Sequence, residues 1–231
     1  MAVSTDLGFN LTASQIVETA FNTLGICQEG EALTARMAQD GMRALNLLIK
    51  TWGAQEHLWT ETEGTVTMVA SQAAYTITPK PLRILSVRRR LNGIDTPMTM
   101  MSRQEYFDQP NKTQSPSVPV SFYFDPQQAT GVLYLWPAPS AATVGQYTIN
   151  MTYLRRMANM DNNANDLDMP QEWLEAVVWN LAVRLMAQYP VNNPNRMQFV
   201  IGMAEKLYAD LKGWDEEPAS LYLQPDVQAR F

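Results

Sequence analysis

The sequence predicts an α+β protein: a helical bundle formed by N- and C-terminal helices, an inserted antiparallel β-domain, and an extended C-terminal tail. Three observations predict it. Apolar residues recur at three- and four-residue steps up to about Thr60 and again after about Asp168, which is the period of a buried helix face. Between them the period falls to two, the spacing of a strand. Beyond Trp214, Pro218 and Pro225 prevent any helix from continuing. The expected division is 1–60 with 155–214 as a discontinuous bundle, 61–154 as the β-rich insert, and 215–231 as a docking tail.

Taking the elements in order, Thr12 and Gln15 stand at capping-box spacing ahead of a stripe of Ile16, Val17, Ala20, Phe21 and Leu24, and Gly25 stops the helix. A longer helix runs from about Thr34 to Gln55, with Met37, Gly41, Ala44, Leu45, Leu48, Ile49 and Trp52 on one face. These two are expected to pair antiparallel. Thr65 to Val69 reads as a strand, Ser71-Gln72 as a turn, and Tyr75 and Ile77 as a second strand. Arg83 to Leu91 alternates, with Ile84, Ser86, Arg88 and Arg90 on one side and Leu85, Val87, Arg89 and Leu91 on the other. Asn92-Gly93 is a strong hairpin signal, and Ile94 to Met100 is the return strand.

Ser102 and Glu105 form a second capping box for a short helix through Tyr106 and Phe107. Gln109 to Pro119 reads as a loop. Strands follow at Val120 to Phe124, Val132 to Trp136 and Tyr147 to Leu154, so the middle third is expected to be all-β apart from one turn of helix. Asp168 is the expected N-cap of the next helix, with Pro170 in its first turn. That helix buries Trp173, Leu174, Val177, Val178, Leu181, Ala182 and Leu185. A last helix begins after Asn193 and carries Val200, Met203, Ala204, Leu207 and Leu211 to Trp214. Trp52 and Trp173 lie on the apolar stripes and are expected to be core anchors.

Composition narrows the function. Of 231 residues, 46% are hydrophobic and only 17% charged, enough apolar material for a core and too much for wholesale disorder. Seventeen basic against 23 acidic side chains give a net charge of −6. That argues against a protein that grips nucleic acid by its phosphates. The only compact basic run, Arg88-Arg89-Arg90, sends Arg88 and Arg90 to one strand face and Arg89 to the other, so it reads as a solvated or intersubunit face. A single cysteine, Cys27, excludes an intrachain disulfide and fits a reducing compartment. Neither a signal peptide nor an apolar run of the roughly 18 residues a membrane span needs is visible. The expectation is a soluble chain, cytosolic where it is made.

Catalytic chemistry finds little support. His57 is the only histidine, so no site with two histidines is possible. It reads as a partly exposed cap or a core residue, and Cys27 as a buried or incidental thiol. The 11 glycines match no phosphate-binding motif. Asp161 to Asp168 (DNNANDLD) resembles part of a calcium loop but lacks the glycine and glutamate such a loop requires, and reads as a polar linker. Glu61 with Glu63, and Glu216 with Glu217, are carboxylate pairs without a recognisable cleft. No catalytic, cofactor-binding or metal-ligating residue is assigned. Candidate partner contacts are Arg88 and Arg90 on the strand face, and Leu221, Tyr222, Leu223 and Phe231 in the tail.

Four segments together resemble a known family: GEALTARMAQDGMRALNLLIKTWGAQEHLWT (Gly30 to Thr60), SQAAYTI (Ser71 to Ile77), GVLYLWPAP (Gly131 to Pro139) and DMPQEWLEAVVWNLAVRLMAQY (Asp168 to Tyr189). They are similar to the head-to-tail adaptor, or connector, proteins of tailed bacteriophages, which include tail accessory factors and tail tubular proteins. The resemblance covers about Thr12 to Trp214 and rests on the ordered set more than on any one motif. It implies a non-enzymatic virion protein at the head–tail junction, assembled in the host cytoplasm as a homo-oligomeric ring, typically dodecameric. Its implied partners are the portal protein above and a downstream tail or nozzle protein below, with DNA passing through the lumen without sequence-specific binding. No membrane is implied. A peptidoglycan-degrading hydrolase associated with the tail is the alternative class, and a nucleic-acid-binding module a third, disfavoured by charge.

Overall fold

Thr12 starts the first helix by accepting a hydrogen bond from the Gln15 N–H, and the Gln15 side chain accepts from the Thr12 N–H in return. This capping box, like the rest of the fold, is seen in a computed structural model that describes residues 8–27, 31–55, 57–112 and 117–215. The helix, α1 (Ala13–Leu24), ends where Gly25 turns left-handed at φ 68°, a conformation a side chain disfavours. Thr34 caps α2 (Ala35–Trp52), which stops three residues before the expected Gln55. The short α3 (Arg103–Phe107) has the second capping box, Ser102 with Glu105. Asn193 caps α6 (Pro194–Trp214), whose first residue, Pro194, needs no N–H partner there.

Helix α5 (Leu174–Leu185) is the central element and packs against α1, α2 and α6. Their shared core includes Ile16, Val17, Phe21, Leu45, Leu48, Trp52, Trp173, Val177, Leu181 and Val200. Gly41 permits the close approach of α1 and α2: a Cβ there would lie 2.3 Å from Val17 Cγ1. The chain between the last strand and α5 also joins this core through Met157, Met160 and Leu167. Its polar run does structural work, because the carbonyls of Asn163 and Asn165 accept from the free N–H groups of Ser14 and Ala13 at the start of α1.

Asp168 does not cap a helix. Its carboxylate takes two hydrogen bonds from Arg155 (2.6 and 2.9 Å) and one from the Ala158 N–H (2.9 Å). A 3-10 turn, Gln171–Trp173, follows Pro170 and leads into α5 without a side-chain cap. The carboxylate is committed to Arg155 and the Ala158 N–H, which local spacing does not reveal.

Among the described residues, eight strands form two four-stranded sheets. The first has the order β1 (Glu61–Val66), β8 (Tyr147–Leu154), β3 (Arg83–Leu91), β4 (Ile94–Pro97). The second has the order β2 (Ala74–Ile77), β7 (Gly131–Trp136), β6 (Ser121–Pro126), β5 (Thr99–Met100). Pairing is antiparallel except between β5 and β6. A second core lies between the sheets, with Val66, Ile84, Val87, Ile149 and Met151 from one and Tyr75, Ile77, Phe122, Phe124, Leu133 and Leu135 from the other.

Four strand-level expectations are corrected. The first strand begins at Glu61 and ends at Val66, so Val69 lies outside it, and the following turn carries the chain to the other sheet. The return strand breaks at Met98, where the chain crosses between sheets as β4 becomes β5. In β3 a bulge between Ile84 and Ser86 shifts the alternation, so Ile84 and Val87 both point into the core. A helix also stands in the β region, where the alternating pattern predicts only one helical turn: α4 (Ala141–Gln146), capped by Ser140.

Candidate interaction surfaces

Inward-facing Val66, Val87, Ile149 and Met151 leave their strand neighbours on the outer face of the first sheet, and that face is polar. Arg88 reaches across β8 to the Glu63 carboxylate and donates to Thr152 Oγ1 at 3.1 Å. Arg90 grips Asp95, its direct cross-strand partner, with two bonds of 2.6 and 2.7 Å. The Asn150 amide, turned with its NH2 towards Thr65 Oγ1, offers its oxygen to Arg90 at 3.2 Å. The hydrogen bond from Arg90 holds the Asp95 carboxyl below the usual carboxylate range. Arg89 leaves by the other face and donates to the Pro119 carbonyl at 3.1 Å. The three arginines therefore diverge, and Arg88 and Arg90 are each balanced by a carboxylate of the same chain. That geometry suits a structured polar surface and does not form a phosphate clamp.

The second sheet has an aromatic outer face. Tyr106 of α3 stacks on Tyr123 (centroids 5.7 Å) and tilts against Tyr134 (4.9 Å), while Phe107 meets Tyr106 edge to face at 5.5 Å. The Lys112 ammonium lies over Tyr106 and Phe107. Tyr106 is buried, whereas Phe107 is 48% exposed at the rim of a cleft bounded by Arg103, Gln104 and Asp108. The capping box located α3 in the sequence, but nothing local announced which sheet it would cover. Further apolar exposure is scattered: Ile94 at the β3–β4 turn, Val69 in the connection from β1 to β2, Phe199 and Trp214 on α6. Leu221, Tyr222, Leu223 and Phe231 lie outside the described residues.

His57 and Glu63 have partners within the chain. His57 is buried between Trp59 and Trp173, with Nδ1 2.8 Å from Asp215 Oδ2 and Nε2 3.2 Å from the Trp52 carbonyl. Of the two readings of His57, the core one holds, while Asp215 had given no sequence signal. Burial, then Glu31 and Glu18, push the Cys27 thiol up, away from the reactive thiolate. Glu63 is committed to Arg88, and Glu216 and Glu217 fall outside the described residues. Among the described residues no three histidine, cysteine or acidic side chains converge as metal ligands, and no helix is long and apolar enough to cross a membrane.

Comparison with known proteins gives a family match across most of the chain. The family described as SU10 adaptor protein matches residues 11–222, spanning the helices and both sheets. No curated protein matches. Solved structures with local similarity include a chain from the neck of an empty GTA particle, at 13% identity and a TM-score of 0.32 over 77% of this chain and 78% of that one. A chain from the virion of a native gene transfer agent (GTA) particle shows 14% identity and a TM-score of 0.32 over 90% and 93%. Both scores lie below the level at which a common fold follows.

Proposed function

Because the chain belongs to the SU10 adaptor protein family, we propose that it is a non-enzymatic structural protein of a tailed-phage virion that joins head to tail. The observation that carries this is the extent of the family match, residues 11–222, which takes in the bundle, both sheets and the start of the tail. In this reading the helical unit (1–60 with 155–214) and the β-rich insert (61–154) act as two parts of one ring subunit. Copies assemble as a ring, a dodecamer by the family resemblance, beneath the portal protein, and a downstream tail or nozzle protein attaches below.

The chemistry is consistent with that role. A net charge of −6 lets DNA slide through a lumen without adhering, since binding by phosphates needs an excess of cations. The outer face bearing Arg88 and Arg90 is assigned to a contact between neighbouring copies, with its internal ion pairs fixing both side chains in place. Leu221, Tyr222, Leu223 and Phe231 are assigned to docking on a partner, the portal first.

Size-exclusion chromatography of the purified chain with purified portal tests the proposal. Co-migration as a ring-sized complex supports it. Failure to co-migrate, together with release of soluble fragments from cell walls by the chain alone, would replace it with the hydrolase reading.

A further inference from the structure

Asn92 and Gly93 both have positive φ, 49° and 82°, in the two-residue turn that closes β3 onto β4 where Leu91 pairs with Ile94. Ile94 stands at this tip 72% exposed, more than any other large apolar side chain among the described residues. Among the described residues no backbone N–H donates to the carbonyls of Asn92 or Gly93. The tip thus offers a four-carbon apolar knob on a tight turn, flanked by open acceptors.

At the other end of β3 lies a cavity of about 170 Å³. Lys50, Gly53 and Ala54 line it from the end of α2, and Leu82, Arg156 and Met157 from beside the first residue of β3 and the last of β8. Gly53, Ala54, Leu82 and Met157 make its walls apolar, while Lys50 and Arg156 are exposed cations. A dry apolar cavity of about 150 Å³ admits benzene, so an isoleucine side chain fits this one. Lys50 already donates to a carbonyl, that of Met157 at 2.7 Å, which is the interaction the open turn carbonyls can accept. Knob and hole cannot meet within one chain, because the whole of β3 (Arg83–Leu91) separates them, about 30 Å of extended strand.

A knob and a hole at separate places on one molecule fit between copies as a head-to-tail contact, the kind that closes into rings. We infer that Ile94 of one copy seats in the cavity beside Lys50 and Met157 of the next, with Lys50 and Arg156 donating to the carbonyls of the Asn92-Gly93 turn. Strands β3 and β4 carry Arg88, Arg90 and Asp95 as well as the tip, so the knob extends the face already assigned to contact between copies. The docking rests on the ring reading and names the two surfaces that meet.

Engineered thiols test the contact in a full-length Cys27→Ser background, which removes the only native cysteine. Ile94 and Ala54 are both exposed, so Ile94→Cys and Ala54→Cys each place one accessible thiol on a folded chain. Oxidised as a mixture, with and without purified portal, the two variants should form a disulfide dimer between positions 54 and 94, and neither should dimerise alone. The double variant should give a ladder of covalent multimers, since each copy then carries both halves. Ile94→Lys sets a third cation against Lys50 and Arg156 and should weaken assembly about tenfold or more, read by sedimentation velocity. Absence of the disulfide from both samples, or a dimer of Ile94→Cys alone, overturns the docking, and so does unchanged assembly of Ile94→Lys. Co-migration with portal without the disulfide removes this contact and keeps the adaptor reading. A ladder from a chain that does not bind portal does the reverse.

Discussion

The indoles of Trp52 and Trp173 meet edge to face with centroids 5.8 Å apart, joining helical segments from either side of the β-strands. Both are buried in the helical core, and Tyr208 of α6 stacks on Trp52 at 4.9 Å. The contact ties together the two halves of a bundle that the chain visits at different times.

Trp173→Ala should therefore cost about 3–5 kcal/mol, the usual penalty for emptying a large buried site. Trp173→Phe should cost less, because Trp173 Nε1 has no hydrogen-bond partner to lose. Chemical denaturation followed by circular dichroism checks both. Equal stability of the Ala variant and the wild type would move Trp173 out of the core.

Gly41 is the second test of the bundle. A methyl group placed there meets Val17 at 2.3 Å and Phe21 at 3.4 Å. Although alanine favours helix, Gly41→Ala should destabilise by about 1–3 kcal/mol through overpacking. A stabilised variant would show that α1 and α2 can separate freely.

Asp168 predicts a pH dependence. Burial pushes its carboxyl up, but hydrogen bonds from Arg155 and the Ala158 N–H outweigh it and leave the carboxyl below its ordinary value. A carboxyl so lowered contributes stability above its unfolded range, and that contribution is lost as pH falls through the lowered value. The wild type should exceed Asp168→Asn by on the order of 1 kcal/mol at neutral pH. The gap should close in acid, as read from denaturation midpoints across pH.

Thr12 tests the entry to α1. Thr12→Ala removes the acceptor for the Gln15 N–H and should cost about 1 kcal/mol. Amide exchange should quicken across the first turn of α1 and leave the β-sheets unchanged.

Removing residues 216–231 while keeping Asp215 tests the proposed docking arm. Stability should change by less than about 0.5 kcal/mol, as for surface changes outside a packed core. Co-migration with portal should be lost. A truncated chain that still joins portal complexes would assign docking to the body instead.

What the sequence determined by itself was local. Thr12 with Gln15, Ser102 with Glu105, Gly25, Asn92-Gly93 and the limits of Tyr147–Leu154 were all legible. Caps, turns and alternation depend on residues within about four positions of one another. The ordered motifs from Gly30 to Tyr189 also pointed to the adaptor family. Only the tertiary structure decided which strand joined which sheet, that a bulge turned Ile84 inward beside Val87, and that Asp168 served Arg155 instead of a helix. It also placed Asp215 on His57, a pairing across 158 positions. Such contacts are fixed by what the two cores bring together, and periodicity carries no record of which distant side chain arrives.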